Sequence, residues 1–230
     1  MNLTIKKMCP ELADDYFDFF DNRAFSDNSP YYPCYCNAFQ LSKAQLEDIS
    51  KECDAKGGGQ ENLRIALRNS AMRMVEQNII QGYLAFDGEV SIAWCNANDR
   101  KNYTRVGEFN PADVPDDVQD VIDPISESMA AAQRDDIASE QAEKIKSIVC
   151  FEIAPEYRGK GIATALLNRV CEDAAKEGYD RVEVYPVVRD AYEILDFTGP
   201  IHMYEKAGFI RVSQHGKELV MQKNLNSYRV

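Results

Sequence analysis

The stretch from Ile148 to Thr164, IVCFEIAPEYRGKGIAT, decides the fold of this chain. Its opening, through Ile153, has the β-branched and aromatic composition of a buried strand. Its end begins an amphipathic run that is typical of a helix. Gly159 and Gly161 lie between these two parts, and glycine suits a tight turn because it accepts positive φ. The stretch therefore predicts a strand, a glycine-rich turn and a helix in direct succession.

A turn of this kind presents backbone N–H groups at the positive end of the helix dipole, and that arrangement binds phosphate. Two common phosphate loops do not fit the spacing. A dinucleotide fingerprint needs Gly or Ala where Thr164 stands, and a P-loop needs Ser or Thr where Gly161 stands. What remains is the pattern R-x-x-G-x-A, filled by Arg158, Gly161 and Ala163. A nucleotide-binding protein is thus disfavoured, and another phosphate-bearing cofactor is predicted.

Composition limits the classes of function. A net charge of −12 argues against a nucleic-acid partner. The same charge either attracts a cationic substrate or only keeps the chain in solution, and both readings stay open. Seven cysteines, scattered along the chain, suggest no disulfide framework and favour a reducing compartment. Because no signal peptide or membrane-spanning run is visible, we expect a cytoplasmic protein with no membrane partner.

Hydrophobic periodicity predicts the other elements and a mixed α/β (α+β) order. A first strand is expected around Leu3 and Ile5, and an Asp87-Gly88 turn predicts a β-hairpin. Helices are expected at about 12–20, 41–49, 61–77 and 203–206, and further strands at 82–86, 90–95, 182–185, 209–212 and 218–221. Between about 100 and 145 the chain is rich in Asp and poor in large apolar residues, which indicates an acidic insertion, partly helical from Ser126.

Taken together, two motifs resemble the GNAT superfamily of N-acetyltransferases. The acetyl-coenzyme A signature of that family is Q/R-x-x-G-x-G/A after a strand that ends in hydrophobic-x-Pro, and IAPEYRGKGIA at 153–163 matches it. A second family segment, Tyr-x-x-x-Gly-Phe, is matched by YEKAGF at 204–209. The resemblance is strong from about 148 to 221 and less distinctive before it.

The resemblance implies a GNAT-like mixed, largely antiparallel, splayed sheet flanked by helices, as a single acetyltransferase domain over 1–230. It implies direct transfer of an acetyl group from acetyl-CoA, the cosubstrate, to a primary amine of a small molecule or peptide. It is compatible with a homodimer, and it calls for no metal. A different class of function stays open, namely a non-catalytic acyl-CoA-binding regulatory module.

The resemblance also implies residue roles. It assigns Tyr204 as the proton donor to the departing thiolate, although a core-packed aromatic is the alternative. It assigns backbone contacts with the pantetheine arm to the fourth strand, after that strand diverges from the fifth. The implied cofactor-binding residues are Phe151, Ile153, Arg158, Gly159, Lys160, Gly161, Ile162, Ala163 and Thr164.

The catalytic base is less clearly indicated. Glu152 lies next to the implied acetyl position, but strand alternation turns its side chain away from those of Phe151 and Ile153. Glu183 and a water relay are the alternatives. His202, one of two histidines, precedes the Tyr204 segment, but a surface role suits it better.

The loop at 25–39 combines prolines with closely spaced aromatics. Cys34 and Cys36 lack a second ligand pair, so a closed zinc site is not expected. Tyr31, Tyr32 and Tyr35 fall where the resemblance implies a wall of the acceptor site. Contact with substrate and simple packing of the loop are equally compatible with their position.

Overall fold

The computed structural model describes residues 1–29, 31–103, 143–188, 197–215 and 218–226. Most of the expected acidic insertion, including its helix from Ser126, lies outside these residues, as does the turn expected at Gly216. In the described part of the chain, no helix is both long and apolar enough to cross a bilayer.

The predicted helices and strands are confirmed, with shifted ends. The helices are α1 (Ala13–Asn22), α2 (Lys43–Ala55), α3 (Gln60–Glu76), α4 (Ile162–Lys176) and α5 (Ile201–Lys206). The strands are β1 (Leu3–Lys7), β2 (Gly82–Asp87), β3 (Val90–Asp99), β4 (Ile145–Ile153), β5 (Arg181–Val184), β6 (Ile210–His215) and β7 (Glu218–Asn224). Short 3-10 helices occur at Pro10–Leu12, Ala38–Gln40, Arg100–Asn102 and Pro155–Tyr157.

Helix α2 is longer than predicted, and a local signal sets its start. The Ser42 side chain accepts a hydrogen bond from the Gln45 N–H, and the Gln45 side chain accepts one from the Ser42 N–H, which forms a capping box. The helix ends where Gly57, Gly58 and Gly59 all adopt positive φ. Glycine is tolerated there because it has no Cβ to clash in the left-handed region.

The seven strands form one sheet in the order β1-β2-β3-β4-β5-β7-β6. All neighbouring strands are antiparallel except β4 and β5, whose parallel pairing runs only from Ile145 opposite Arg181 to Ile148 opposite Val184. Past Ile148, β4 continues beside β3 alone, with Phe151 opposite Cys95. The mixed, splayed sheet predicted from the resemblance is therefore confirmed, and one edge of β4 is left to other partners.

Helices cover both faces of the sheet. On one face, α1, α2 and α3 pack around a core that includes Trp94 and Cys150. On the other face, the apolar side of α4 packs against Phe151 and its neighbours. Because side chains alternate along β4, Cys150 and Phe151 belong to different cores. Side chains at the end of β4 therefore face both helical layers.

The described residues at the two ends of the expected insertion are part of the core. β3 runs to Asp99, and the following Arg100 and Tyr103 are buried. At the other end, Ile145 is also buried and already belongs to β4. The expected insertion at 100–145 therefore overlaps packed structure at its margins.

Candidate active site

The glycine turn is an open helix start. Gly159 has φ 73° and Gly161 has φ 80°, so both adopt the left-handed conformation that glycine accepts because it has no Cβ. Gly161 is the residue that caps the N-terminus of α4, and no side chain caps the helix there. A Cβ added at either glycine would meet no atom within 4 Å. The turn at the start of α4 therefore borders open space, which leaves room for an anionic group at the helix N-terminus.

A groove of about 560 Å³ leads from this turn to the end of β4. Most of the predicted cofactor-binding residues line it: Phe151, Ile153, Arg158, Gly159, Gly161, Ala163 and Thr164. Two do not. Ile162 is buried in the core beneath α4, and the Lys160 ammonium lies 5.0 Å above the ring of Tyr157. The glycine turn at one part of the groove and the end of β4 at another fit a phosphate-bearing molecule with an extended arm.

Arg158 is held by a main-chain carbonyl and by two carboxylate side chains. Its Nε donates to the carbonyl oxygen of Ile153 at 3.0 Å, and its Nη1 donates to Asp27 at 2.5 Å. Its Nη2 lies 3.6 Å from Oε1 of Glu152. A phosphate group that recruits Arg158 therefore has to replace these partners. Sequence reasoning missed Asp27, which lies far from the motif along the chain.

Glu152 lies where two cavities meet. Its side chain is 12% exposed, and it lines both the cofactor groove and a second cavity. Burial raises the pKa of the Glu152 carboxyl to about 8, against the opposing effect of Arg158. Its presence beside Cys150 in the second cavity agrees with the predicted alternation, which turns it away from the side chains of Phe151 and Ile153. Glu152 also lines the groove.

The second cavity, of about 460 Å³, lies on the α1–α3 side of the sheet. We call it the aromatic cavity because Phe20, Phe25, Tyr31, Tyr32, Tyr35, Phe39 and Phe197 all line it. The three tyrosines whose role was left open are among these residues. Tyr31, Glu152 and Phe197 line both the cavity and the groove, so the two spaces are adjacent and these three side chains lie between them.

Thiols also line the aromatic cavity, at Cys34, Cys36 and Cys150. Burial raises the pKa of the Cys34 thiol far above its usual range. A hydrogen bond with Cys36, together with burial, raises the pKa of the Cys150 thiol. Because the thiolate is the nucleophilic form, Cys34 and Cys150 are held in their unreactive state.

Tyr204 is fully buried beside the groove. Its hydroxyl donates a hydrogen bond to the carbonyl oxygen of Thr198. Gly199, with φ 80°, lies directly against the phenol, since a Cβ there would stand 2.7 Å from the Tyr204 oxygen. His202 and Met203, which directly precede Tyr204 in the chain, line the groove. The phenol is therefore adjacent to the groove and is covered by the Thr198–Gly199 backbone.

Phe197 occupies a backbone position that the resemblance assigns to the cofactor. The N–H of Phe151 donates to the carbonyl oxygen of Phe197 at 2.7 Å, beyond the point where β4 and β5 separate. A cofactor amide that pairs with this N–H has to displace that carbonyl. Sequence reasoning missed Phe197, and no local pattern around it signals this contact.

Glu183, the alternative base, lies in a separate polar network. It is fully buried, its Oε1 lies 3.2 Å from Nη1 of Arg100, and its Oε2 accepts from Gln222 at 2.6 Å. Tyr185 also donates to it. Among the described residues it lines neither the groove nor the aromatic cavity. Its contacts are those of a structural ion pair.

We expect Arg100→Met to destabilise the fold, because it leaves the Glu183 carboxylate buried without its cation. The expected loss is about 3 kcal/mol in the free energy of unfolding, measured by urea denaturation. Lys101→Met is the matched control, because Lys101 pairs with Asp99 while its side chain is 78% exposed. That neighbour should change stability by less than about 0.5 kcal/mol. Equal effects of the two substitutions would refute the structural role of the Arg100–Glu183 pair.

Comparison with known proteins agrees with this geometry. Residues 128–209 match the model of the acetyltransferase (GNAT) family. No curated protein matches the sequence. Among solved structures, a mosquito arylalkylamine N-acetyltransferase like 5b is similar at 15% identity, over 97% of this chain and 100% of that one, with a TM-score of 0.54.

Two further structures are similar. One is the PaiA N-acetyltransferase of Thermoplasma acidophilum in complex with coenzyme A, at 15% identity over 97% of this chain and 99% of that one, with a TM-score of 0.46. The other is a GNAT-family acetyltransferase of Streptococcus pneumoniae, at 14% identity over 97% and 99% of the two chains, with a TM-score of 0.48. At these identities, the likeness to the mosquito protein shows a shared fold.

Proposed function

We propose that this chain, whose residues 128–209 belong to the acetyltransferase (GNAT) family, transfers an acetyl group from acetyl-CoA directly to a primary amine. The observation that carries the proposal is that one carboxyl lines two adjacent spaces. Glu152 lines both the groove that begins at the turn before α4 and the aromatic cavity. The first space suits the cofactor and the second suits the acceptor, which is a small molecule or a peptide.

Direct transfer is supported by the state of the nearby nucleophiles. An acyl-enzyme intermediate would need a thiolate or a comparable group at the junction. Burial and the Cys36 contact hold the Cys34 and Cys150 thiols protonated by raising the pKa of each. The protonated state of these two thiols supports direct attack by the incoming amine.

Acetyl-CoA, when bound, would supply the acetyl group as a thioester. The N–H groups of the turn at Gly161 would bind its pyrophosphate, and the groove would orient the arm toward Glu152. The Glu152 carboxylate would take the proton that the amine must lose. Tyr204 would return a proton to the departing thiolate, since a phenol is protonated at neutral pH. For this step the Tyr204 hydroxyl has to leave the Thr198 carbonyl.

The proposal is tested by following free thiol when purified protein is mixed with acetyl-CoA and primary amines. We expect thiol release that requires both an amine and the protein. Binding of acetyl-CoA, measured separately by calorimetry, shows whether the cofactor site is intact. Tight binding without thiol release from any amine in a broad panel would contradict the proposal.

A second candidate function is a non-catalytic acyl-CoA-binding regulatory module. One observation favours it: the Tyr204 phenol is buried beneath the Thr198–Gly199 backbone, and the Phe151 N–H is already paired with Phe197. Under this hypothesis acetyl-CoA binds and no acetyl group is transferred. The thiol assay separates the two functions directly.

We expect Tyr204→Phe to lower kcat about 100-fold, the usual contribution of a positioned proton donor, with acetyl-CoA binding unchanged. Tyr103→Phe is the matched control. Tyr103 is also buried, and its hydroxyl also donates to a main-chain carbonyl, that of Ser147, but it lines neither cavity. The control should lose stability without losing kcat. An equal fall of kcat in both variants would argue that Tyr204 is structural.

A further inference from the structure

The walls of the aromatic cavity are apolar and held in place by ring contacts. The rings of Tyr31 and Phe197 meet edge to face at 5.3 Å between centroids, and both residues, like Glu152, also line the groove. The Phe25 ring contacts those of Phe20 and Tyr32, each at 6.2 Å between centroids. Ring edges and faces arranged in this way favour another aromatic group or a branched aliphatic one.

The charge on the described lining of the cavity is carried by one residue. Of the described residues that line it, Glu152 is the single carboxylate, and none is a lysine, arginine or histidine. The side-chain N–H groups of Asn37 and Gln60 are used within the protein, by the sulfur of Met74 and the carbonyl oxygen of Tyr32. One amine therefore finds a carboxyl partner at Glu152, whereas a second, charged amine elsewhere in the cavity would meet no carboxylate among the described lining residues, and its burial would be costly.

The charge that lines the cavity indicates which amines are selected, whereas the net charge of the chain does not. A charge of −12 over the whole chain attracts cations to the surface without selecting among them. Selection occurs in the cavity, where an apolar body gains from burial and an extra charge does not. Peptide bonds would bring N–H and C=O groups that also need partners.

Size is compatible with this kind of ligand. The cavity of about 460 Å³ lies within the range of small-molecule pockets, roughly 300–1,000 Å³. A single aromatic ring with a short alkyl arm fits this space, and the arm would bring its amine to Glu152.

We propose that the acceptor is a small aromatic primary monoamine, with its ring in the aromatic cavity and its amine at Glu152. This inference rests on the proposed acetyltransferase function and narrows it to one class of substrate. The cavity selects the ring, and the carboxyl at the junction with the groove positions the nitrogen beside the acetyl group.

Matched pairs of amines test the proposal with the full-length protein and acetyl-CoA. We expect kcat/KM for 2-phenylethylamine to exceed that for ethylamine by about 10- to 100-fold, the factor expected for burial of one phenyl side chain. We expect hexylamine to exceed 1,6-diaminohexane by about 100-fold, because the diamine would bury its second ammonium. Phe-Gly amide, which adds peptide groups to the same ring, should be slower than 2-phenylethylamine.

A variant pair locates the preference. Leu63 lines the cavity from α3, so Leu63→Trp fills it and should lower the ratio of phenylethylamine to ethylamine turnover about 10-fold. Ile65→Trp adds the same bulk to the same helix at a residue that does not line the cavity, and it should leave the ratio unchanged. The comparison of amines on the unmodified protein does not depend on either variant folding.

The outcomes distinguish the two levels of the argument. Thiol release that favours ethylamine, the diamine or Phe-Gly amide overturns the substrate class and leaves the acetyltransferase function standing. Acetyl-CoA binding without thiol release from any of these amines overturns the acetyltransferase function, and the substrate class with it. The expected order of rates supports both.

Discussion

Replacing Glu152 with glutamine is expected to lower kcat/KM about 100-fold, because the variant keeps the shape of the junction but cannot accept a proton. The geometry supports this choice of base over Glu183. Glu152 lines both the groove and the aromatic cavity, whereas Glu183 is locked beside Arg100. The measurement is steady-state thiol release with a primary amine at several pH values.

The pH profile provides the more specific signature. Burial raises the pKa of the Glu152 carboxyl to about 8, so it is mostly protonated at neutral pH and gains its capacity as a base only as pH rises through about 8. The wild-type kcat/KM should therefore rise with pH through that value. In the Glu152→Gln variant, kcat/KM should depend on pH only through the ionisation of the amine substrate. An unchanged inflection near pH 8 in the variant would exclude Glu152 as its source.

Stability supplies an independent readout of the same group. The pKa of Glu152 rises from 4.5 to about 8 on folding, so the folded protein binds this proton more tightly than the unfolded chain. That contribution is fully present below about pH 4.5 and is lost as pH rises to about 8. The Glu152→Gln variant has no carboxyl to titrate. Its free energy of unfolding should therefore rise relative to that of the wild type as pH increases from about 4.5 to about 8.

A matched substitution controls for charge and position. Glu156 follows β4 in the same stretch of chain but is exposed, and it lines neither space. Glu156→Gln removes the same charge and should leave kcat/KM, its pH profile and the pH dependence of stability close to wild type. If Glu156→Gln matched Glu152→Gln in all three, the effect would belong to net charge and not to the junction.

Local signals account for what the sequence could predict. Positive φ at Gly161, the alternating pattern of β4 and the amphipathic face of α4 all depend on residues close together in the chain. The capping box at Ser42 is equally local, yet the length of α2 was underestimated because its last turns have few large apolar residues. Short-range chemistry thus predicted the order of elements better than their ends.

The site could be predicted only in part, because it is assembled from distant segments. The pattern of β4 correctly indicated which way the Glu152 side chain turns, but not that a cavity lies on that side. That cavity depends on the path of the loop carrying Tyr31 and on Phe197, which meet only in the folded chain. The contact of Arg158 with Asp27 likewise joins distant parts of the sequence. Pairings of this kind leave no periodic trace in either partner.

Gly161→Glu is expected to weaken acetyl-CoA binding by at least about 100-fold, a cost of about 2.7 kcal/mol. Two physical effects act together. At φ 80° a side chain strains the backbone of the turn that begins α4 and lines the groove. The new carboxylate also takes the place of the phosphate at the positive end of the helix dipole and repels it. The measurement is isothermal titration of the protein with acetyl-CoA.

The other end of the same helix offers a matched control. Gly178 follows α4, has φ 77°, and an added Cβ there also meets nothing within 4 Å. Gly178→Glu therefore introduces the same charge, with a similar backbone cost, next to the same helix, but away from the groove. It should bind acetyl-CoA as the wild type does, with circular dichroism confirming that both variants are folded. Unchanged binding in a folded Gly161→Glu variant would mean that the turn does not hold the pyrophosphate, because both the charge and the strain would then act at a site that the cofactor does not touch.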